Sequence, residues 1–234
     1  MHLTRRGVVH YYQQREKAEE YERLRFATTG GKLVETREKD IVIRFSETVS
    51  PEESILDLGT GTGRIAAAIS GSTKVGIDTS TSMLRKAKRG KLDVVCSDLQ
   101  HLPFRDATFS TAVAIRVFIR EKTPLRSFKE TARVLKEGGC FIFDTSNKSS
   151  IGRFLNRLSK EPKHDTFSRN EIVMMLKASS FKVTQVEPAF MIPRGIYQKT
   201  NSDVIRILWK LDRKILKTKL NKIACTFFWR ANLT

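Results

Sequence analysis

Short apolar runs and amphipathic stretches alternate through the middle of the chain. Residues 55–58, 74–78, 93–96, 109–116 and 140–143 are runs of this kind, several of them ending in an acid or a polar turn. Runs this short, apolar on successive positions, read as strands covered on both faces. Residues 181–186 and 189–193 are expected to add two more. Between the runs lie helical patterns. An alanine-rich helix is expected after Gly63. Leu125, Phe128, Ala132 and Leu135 mark a helix over 125–136, with Gly138-Gly139 as its stop. Ser168 and Glu171 form a capping-box pattern for a helix over 169–179. Strand and helix in alternation predict an α/β domain built on a largely parallel sheet.

Both flanks differ from this middle. Residues 1–46 are charged and helix-rich, with Tyr11, Tyr12, Tyr21, Leu24 and Phe26 as anchors. Thr28-Thr29-Gly30-Gly31 is expected to break the pattern before a second helix over 32–45. Residues 199–234 are basic. Val204, Leu208, Leu211, Ile215 and Leu216 fall near one face of a helix over 203–223, with seven lysines and arginines on the remainder. Trp209, Phe227, Phe228 and Trp229 add aromatics. A basic amphipathic helix bordered by tryptophan suits the surface of an anionic bilayer. The division is therefore an amino-terminal helical cap (1–46), a core (47–198) and a basic extension (199–234).

The chemistry concentrates after the first run. Ile55-Leu56-Asp57-Leu58 is followed by Gly59, Gly61 and Gly63 at alternate positions. Open α/β sheets bind ligands at the carboxyl ends of their strands, and glycine lets a ligand approach the backbone. A dinucleotide fingerprint places its third glycine at position 64; this chain has Arg64 there. Asp78 ends the second run near the offset of about 20 residues at which an acid reaches ribose hydroxyls. Asp98 and Leu99 follow the third run, Ile115 and Arg116 close the fourth, and Asp144 closes the fifth.

The glycine stretch resembles motif I of the class I S-adenosylmethionine-dependent methyltransferases. The resemblance extends over about 51–186, including the segment Arg133-Val134-Leu135-Lys136-Glu137-Gly138-Gly139. It implies a Rossmann-like, seven-stranded, mostly parallel sheet with helices on both faces and an antiparallel last strand. It implies S-adenosyl-L-methionine as cofactor, with Asp57, Gly59, Thr60, Gly61, Gly63, Asp78, Thr79, Asp98, Leu99 and Ile115 as its site. Asp78 would take the ribose and Asp98 the adenine amino group. Amino-terminal helices would cover the acceptor, giving Tyr21, Arg25, Arg116 and Asp144 as acceptor-side candidates. The pattern is similar to ubiquinone- and menaquinone-type enzymes, with departures. Ser110 stands where an acid is usual, and Arg116 is followed by Val117 rather than asparagine.

Charge and composition narrow the function classes. The chain carries a net charge of +18, which favours anionic partners without choosing among them. Cys96, Cys140 and Cys225 have no paired or metal-like spacing, and the four histidines are scattered. No metal is expected. Reduced thiols and the lack of a signal-like apolar region fit a cytoplasmic protein, with peripheral membrane contact through 203–229 as a further expectation. The expected activity is O- or C-methylation of a small-molecule or lipid-like acceptor. The alternatives are methylation of RNA, motivated by the charge, and a non-catalytic binding protein. Asp144, His101 and His164 are the candidate bases.

Overall fold

The computed structural model describes residues 13–47, 50, 52–90, 92–150, 152–153, 165–199 and 203–234. Its strands are β1 (Ser54–Leu58), β2 (Thr73–Asp78), β3 (Asp93–Cys96), β4 (Phe109–Ala114), β5 (Leu135–Ser146), β6 (Phe181–Ala189) and β7 (Thr226–Leu233). They form one sheet in the order β3-β2-β1-β4-β5-β7-β6, parallel except for β7, which is antiparallel to both neighbours. The central strands are covered on both faces. Ile55, Leu56, Leu58, Ala112 and Val113 have no exposed surface, which is why their sequences run apolar without alternation. The order reverses between β1 and β4, so their carboxyl ends open the crevice where such sheets bind ligands.

Among the described residues seven α-helices accompany the sheet: α1 (Arg15–Phe26), α2 (Thr29–Phe45), α3 (Thr81–Arg89), α4 (Leu125–Val134), α5 (Arg169–Lys177), α6 (Arg194–Lys199) and α7 (Asp203–Leu216). Side-chain caps fix several starts. Ser80 accepts from Met83 N at the head of α3, and Ser168 and Glu171 form the expected capping box on α5. The core divides by sheet face. Phe141, Phe143 and Trp229 pack with Phe118 and Phe128 on one side. Ile142 and Phe228 pack with Val34, Ile41, Tyr197 and Ile205 on the other. This is the two-residue periodicity of a strand buried on both sides.

Four features depart from the expectations. Of the strand expected over 189–193 only Ala189 is extended, as the last residue of β6. Phe190 takes φ of +61° and Pro193 has no N–H to give a ladder, so the chain turns there into α6. The last strand is instead β7, within the segment read as a basic extension. Phe227, Phe228 and Trp229 are 0–3% exposed between β5 and β6, so they form core and not a membrane border. The expected break between two cap helices is present, but it falls at Ala27-Thr28 and the second helix starts three residues earlier than expected, so Gly30 and Gly31 are helical. They lie in the first turn of α2, capped by Thr28, and a side chain at Gly30 would collide with the Tyr197 carbonyl. The alanine-rich stretch forms only a 3-10 turn, Ala66–Ala68, and the chain already enters β2 at Thr73, with Gly71 packed against Ile55. Finally, α4 stops at Val134, and Gly138-Gly139 lie within β5. Tyr11, Tyr12 and His164 lie outside the described residues.

Candidate cofactor and acceptor site

The loop after β1 is built from residues that only glycine replaces without strain. Gly59, Gly61 and Gly63 have φ of +63°, +56° and +82°. The left-handed conformation costs other residues about 1–2 kcal/mol. At Gly59 the backbone is also crowded, since a Cβ would lie 2.8 Å from Val117 Cγ2. Gly61 is the opposite case: a Cβ there would meet nothing within 4 Å, so the loop crest faces open space. Thr60 N donates to Ile77 O at 2.8 Å, tying the loop to β2.

Asp57 lies beneath this loop and braces it. Its Oδ2 accepts from Thr60 Oγ1 at 2.7 Å and from Ala66 N at 3.2 Å. Burial pushes its carboxyl pKa up to about 6, against the lowering effect of those two hydrogen bonds. Asp78 holds the loop from the side. Its Oδ2 accepts from Gly61 N at 2.9 Å and its Oδ1 from Ser80 N at 2.8 Å. Burial raises its pKa, with backbone bonds, including that from Thr79, opposing the rise.

Asp98 follows β3, with Oδ1 accepting from Gln100 N at 2.8 Å. That bond is a local turn. Ser97 N donates to Asp78 O at 3.2 Å, which sets the two acidic segments side by side. Leu99 packs half-buried against the core, and Ile115 is buried just past β4. The expected cofactor residues therefore lie in sequence along the carboxyl ends of β3, β2, β1 and β4: Asp98-Leu99, Asp78-Thr79, the glycine loop, then Ile115. Their donor set fits S-adenosylmethionine: acids for a diol and an amine, bare glycine backbone, and no phosphate-binding lysine at the loop.

Beyond β4 lies a buried ionic hub that the sequence patterns did not reveal. Its centre is Glu38 of α2, with no exposed surface. Glu38 Oε1 accepts from Arg116 Nε at 2.8 Å and Arg194 Nη1 at 2.7 Å, and Oε2 from Arg64 Nη2 at 3.0 Å. Arg194 Nη1 also reaches Asp144 Oδ2 at 2.8 Å, and Asp144 Oδ1 accepts from Arg116 N at 2.6 Å. The three arginine side chains are only 10–12% exposed. Burial alone would raise the Glu38 pKa, yet Arg116, Arg64 and Arg194 overcome it and hold it at about 2. Burial lowers Arg116, with Glu38 opposing. Arg194 is also buried, but Asp144 and Glu38 more than compensate and keep it protonated.

The cap closes over this hub. The Phe26 ring lies 4.6 Å from the Arg64 guanidinium and 5.3 Å from that of Arg116, a cation–π arrangement. With its amide oxygen facing Arg116, Gln198 accepts from Nη1 and Nη2 at 3.0 and 3.1 Å. Turned the other way, the same amide oxygen accepts from Arg25 Nη1 at 3.3 Å, and Tyr21 meets Phe26 edge-on at 6.1 Å. All four acceptor-side candidates thus converge. Three guanidiniums face two carboxylates here, and Arg64 Nη1 is buried without a hydrogen-bond partner. Asp144 is committed to Arg194 and the Arg116 backbone. His101 instead lies 2.6 Å from Arg126 Nη2, away from the hub. Among the described residues no group of His, Cys, Asp and Glu could hold a metal ion.

Residues 56–143 match the methyltransferase domain family. The chain is 29% identical over 164 residues to malonyl-[acyl-carrier protein] O-methyltransferase of Herminiimonas arsenicoxydans, covering 67% of this chain and 63% of that one. It is 37% identical over 94 residues to demethylmenaquinone methyltransferase of Corynebacterium urealyticum, covering 39% and 40%. The chain spans less than two thirds of the length of these curated relatives. In fold it resembles a SAM-dependent methyltransferase from Thermotoga maritima, with a TM-score of 0.65 at 20% identity, over 96% of this chain and 99% of the other. Domain match, relatives and sheet order all point the same way: the chain is similar to S-adenosylmethionine-dependent methyltransferases in its domain and in its fold.

Proposed function

We propose that this chain transfers a methyl group from S-adenosylmethionine to a small-molecule acceptor, by O- or C-methylation. The observation that carries the reading is the unbroken edge running from Asp98 through Asp78 and the open crest at Gly61 to the buried hub at Arg116 and Asp144. When bound, S-adenosylmethionine supplies an electrophilic methyl carbon on a cationic sulfur. Asp78 accepts from the ribose hydroxyls, and Asp98 with the Leu99 backbone meets the adenine edge. Asp57 keeps the loop in the shape that admits the ligand.

The acceptor side works by position and exclusion of water. The cap places Phe26 and Tyr21 over the hub, and Asp144 fixes the backbone of Arg116. Asp144 is engaged by Arg194, which favours an acceptor whose nucleophilic atom reacts without a free carboxylate base. Orientation of such a pair supplies much of the acceleration. The excess of guanidinium over carboxylate favours an acceptor that carries negative charge near the reacting atom. The names of the two relatives, one an O-methyltransferase and one acting on demethylmenaquinone, support a small or lipid-like acceptor.

Calorimetry with S-adenosylmethionine and S-adenosylhomocysteine tests the first half. Binding by the wild type and its loss in Asp78→Ala are expected; absence of binding by the wild type overturns the proposal. Labelled S-adenosylmethionine with a fractionated extract tests the second. Label in small molecules or lipid supports it, whereas label confined to RNA or protein refutes the acceptor class.

A further inference from the structure

The helix α7 leaves an apolar stripe uncovered. Val204, Ile207 and Leu211, spaced three and four apart on one face, are 58%, 67% and 51% exposed. Leu220, in the 3-10 turn after the helix, is 57% exposed and prolongs the apolar surface. The opposite face of α7 is anchored. Ile205 has no exposed surface, and Asp212 is 2% exposed with Oδ1 accepting from Met191 N and Ile192 N at 2.7 and 3.0 Å. That anchoring fixes the rotation of the helix about its axis, so the stripe is held outward and does not turn in to complete the core.

Lysines border the stripe. Lys210 and Lys214 project beside Ile207 and Leu211, and both are exposed. Among the described residues neither pairs with an acid. A second copy of this chain would bring a like charge of +18 against the same face, which opposes self-association. A surface that is apolar below and anionic at its rim complements it. We propose that the outer face of α7 docks on an anionic lipid bilayer, with Val204, Ile207 and Leu211 entering the acyl boundary and Lys210 and Lys214 meeting headgroup phosphates. This surface differs from the one expected from the amino-acid pattern alone, because Phe227, Phe228 and Trp229 are spent on the core. It does not rest on the methyl-transfer reading, and its test involves no catalysis.

The test is cosedimentation of the full chain with vesicles of phosphatidylcholine, with and without phosphatidylglycerol. Binding is expected only to the anionic vesicles. Ile207→Gln with Leu211→Gln leaves the charge unchanged and should weaken partition by about tenfold or more, as should Lys210→Glu with Lys214→Glu. These positions are exposed, so thermal unfolding of both variants should match the wild type. Failure of the wild type to bind anionic vesicles overturns the proposal. So does unchanged binding by the glutamine pair, which would reduce the interaction to charge alone. Light scattering that shows a dimer lost in Ile207→Gln would assign the face to a second copy and also overturn it. RNA binding that needs the lysines but not Ile207 and Leu211, with no vesicle binding, overturns it in favour of nucleic acid.

Discussion

Replacing Glu38 by glutamine removes one charge from the hub and keeps its shape. Three guanidiniums then surround a neutral amide with no exposed surface. Two independent arguments give the size of the loss. Removing one partner from a buried ion pair costs roughly 3–5 kcal/mol, because the remaining charge stays desolvated. The Glu38 pKa falls from 4.5 to about 2, and at 1.36 kcal/mol per unit that is roughly 3 kcal/mol. For a domain of this size such a loss lowers Tm by roughly 6–12 °C. The pH dependence supplies a second readout. A carboxylate with a depressed folded pKa contributes stability above its unfolded pKa and loses it as pH falls through the folded value. Urea midpoints of the wild type should therefore decline from about pH 4.5 toward about pH 2, and Glu38→Gln should lack that component. A loss under about 1 kcal/mol, or an acid limb unchanged in the variant, would refute the reasoning from buried charge.

Three further outcomes are expected. Asp57 has the opposite sign: its pKa is raised by burial from 3.8 to about 6, so stability is greatest below pH 3.8 for this group and is lost as pH rises through about 6. Urea titrations of Asp57→Asn should be flatter than the wild type across that window. Gly61→Ala has room for its methyl but not the conformation; it should cost about 1–2 kcal/mol of stability and, by calorimetry, at least tenfold in S-adenosylmethionine affinity. Trp229→Ala should cost about 3–5 kcal/mol in chemical denaturation, since Trp229 is 1% exposed and donates to Thr145 Oγ1 at 2.9 Å; a near-neutral effect would show that β7 is dispensable to the core.

The first five strands were legible because each is a local event. A run buried on both faces is apolar on successive positions, and the acids that follow mark the strand ends where the ligand edge lies. The seventh strand was not legible by the same rule. Phe227-Phe228-Trp229 reads alike whether buried between two strands or resting on a bilayer, and only pairing with β5 and β6 decides. Gly30 and Gly31 misled because helix propensity is local, whereas the close approach to Tyr197 that requires them is not. The hub was invisible for the same reason. Glu38 meets Arg64 across 26 residues, Arg116 across 78 and Arg194 across 156, and ion pairs leave no period in a sequence. The one available signal was Arg64 itself, standing where a dinucleotide site would have glycine.

The placement of β7 sets a timetable for synthesis on the ribosome. Within the sheet β6 pairs with β7 alone, and β7 fills the gap between β6 and β5. When β6 has emerged, its partner has not been made. The nascent chain then carries an unpaired strand and the open edge of β5, through the translation of α6 and α7. Exposed edges of this kind invite aggregation and chaperone capture. The half of the sheet that carries the glycine loop needs none of those later residues for its pairing, so the ligand edge can be assembled first and closed afterwards.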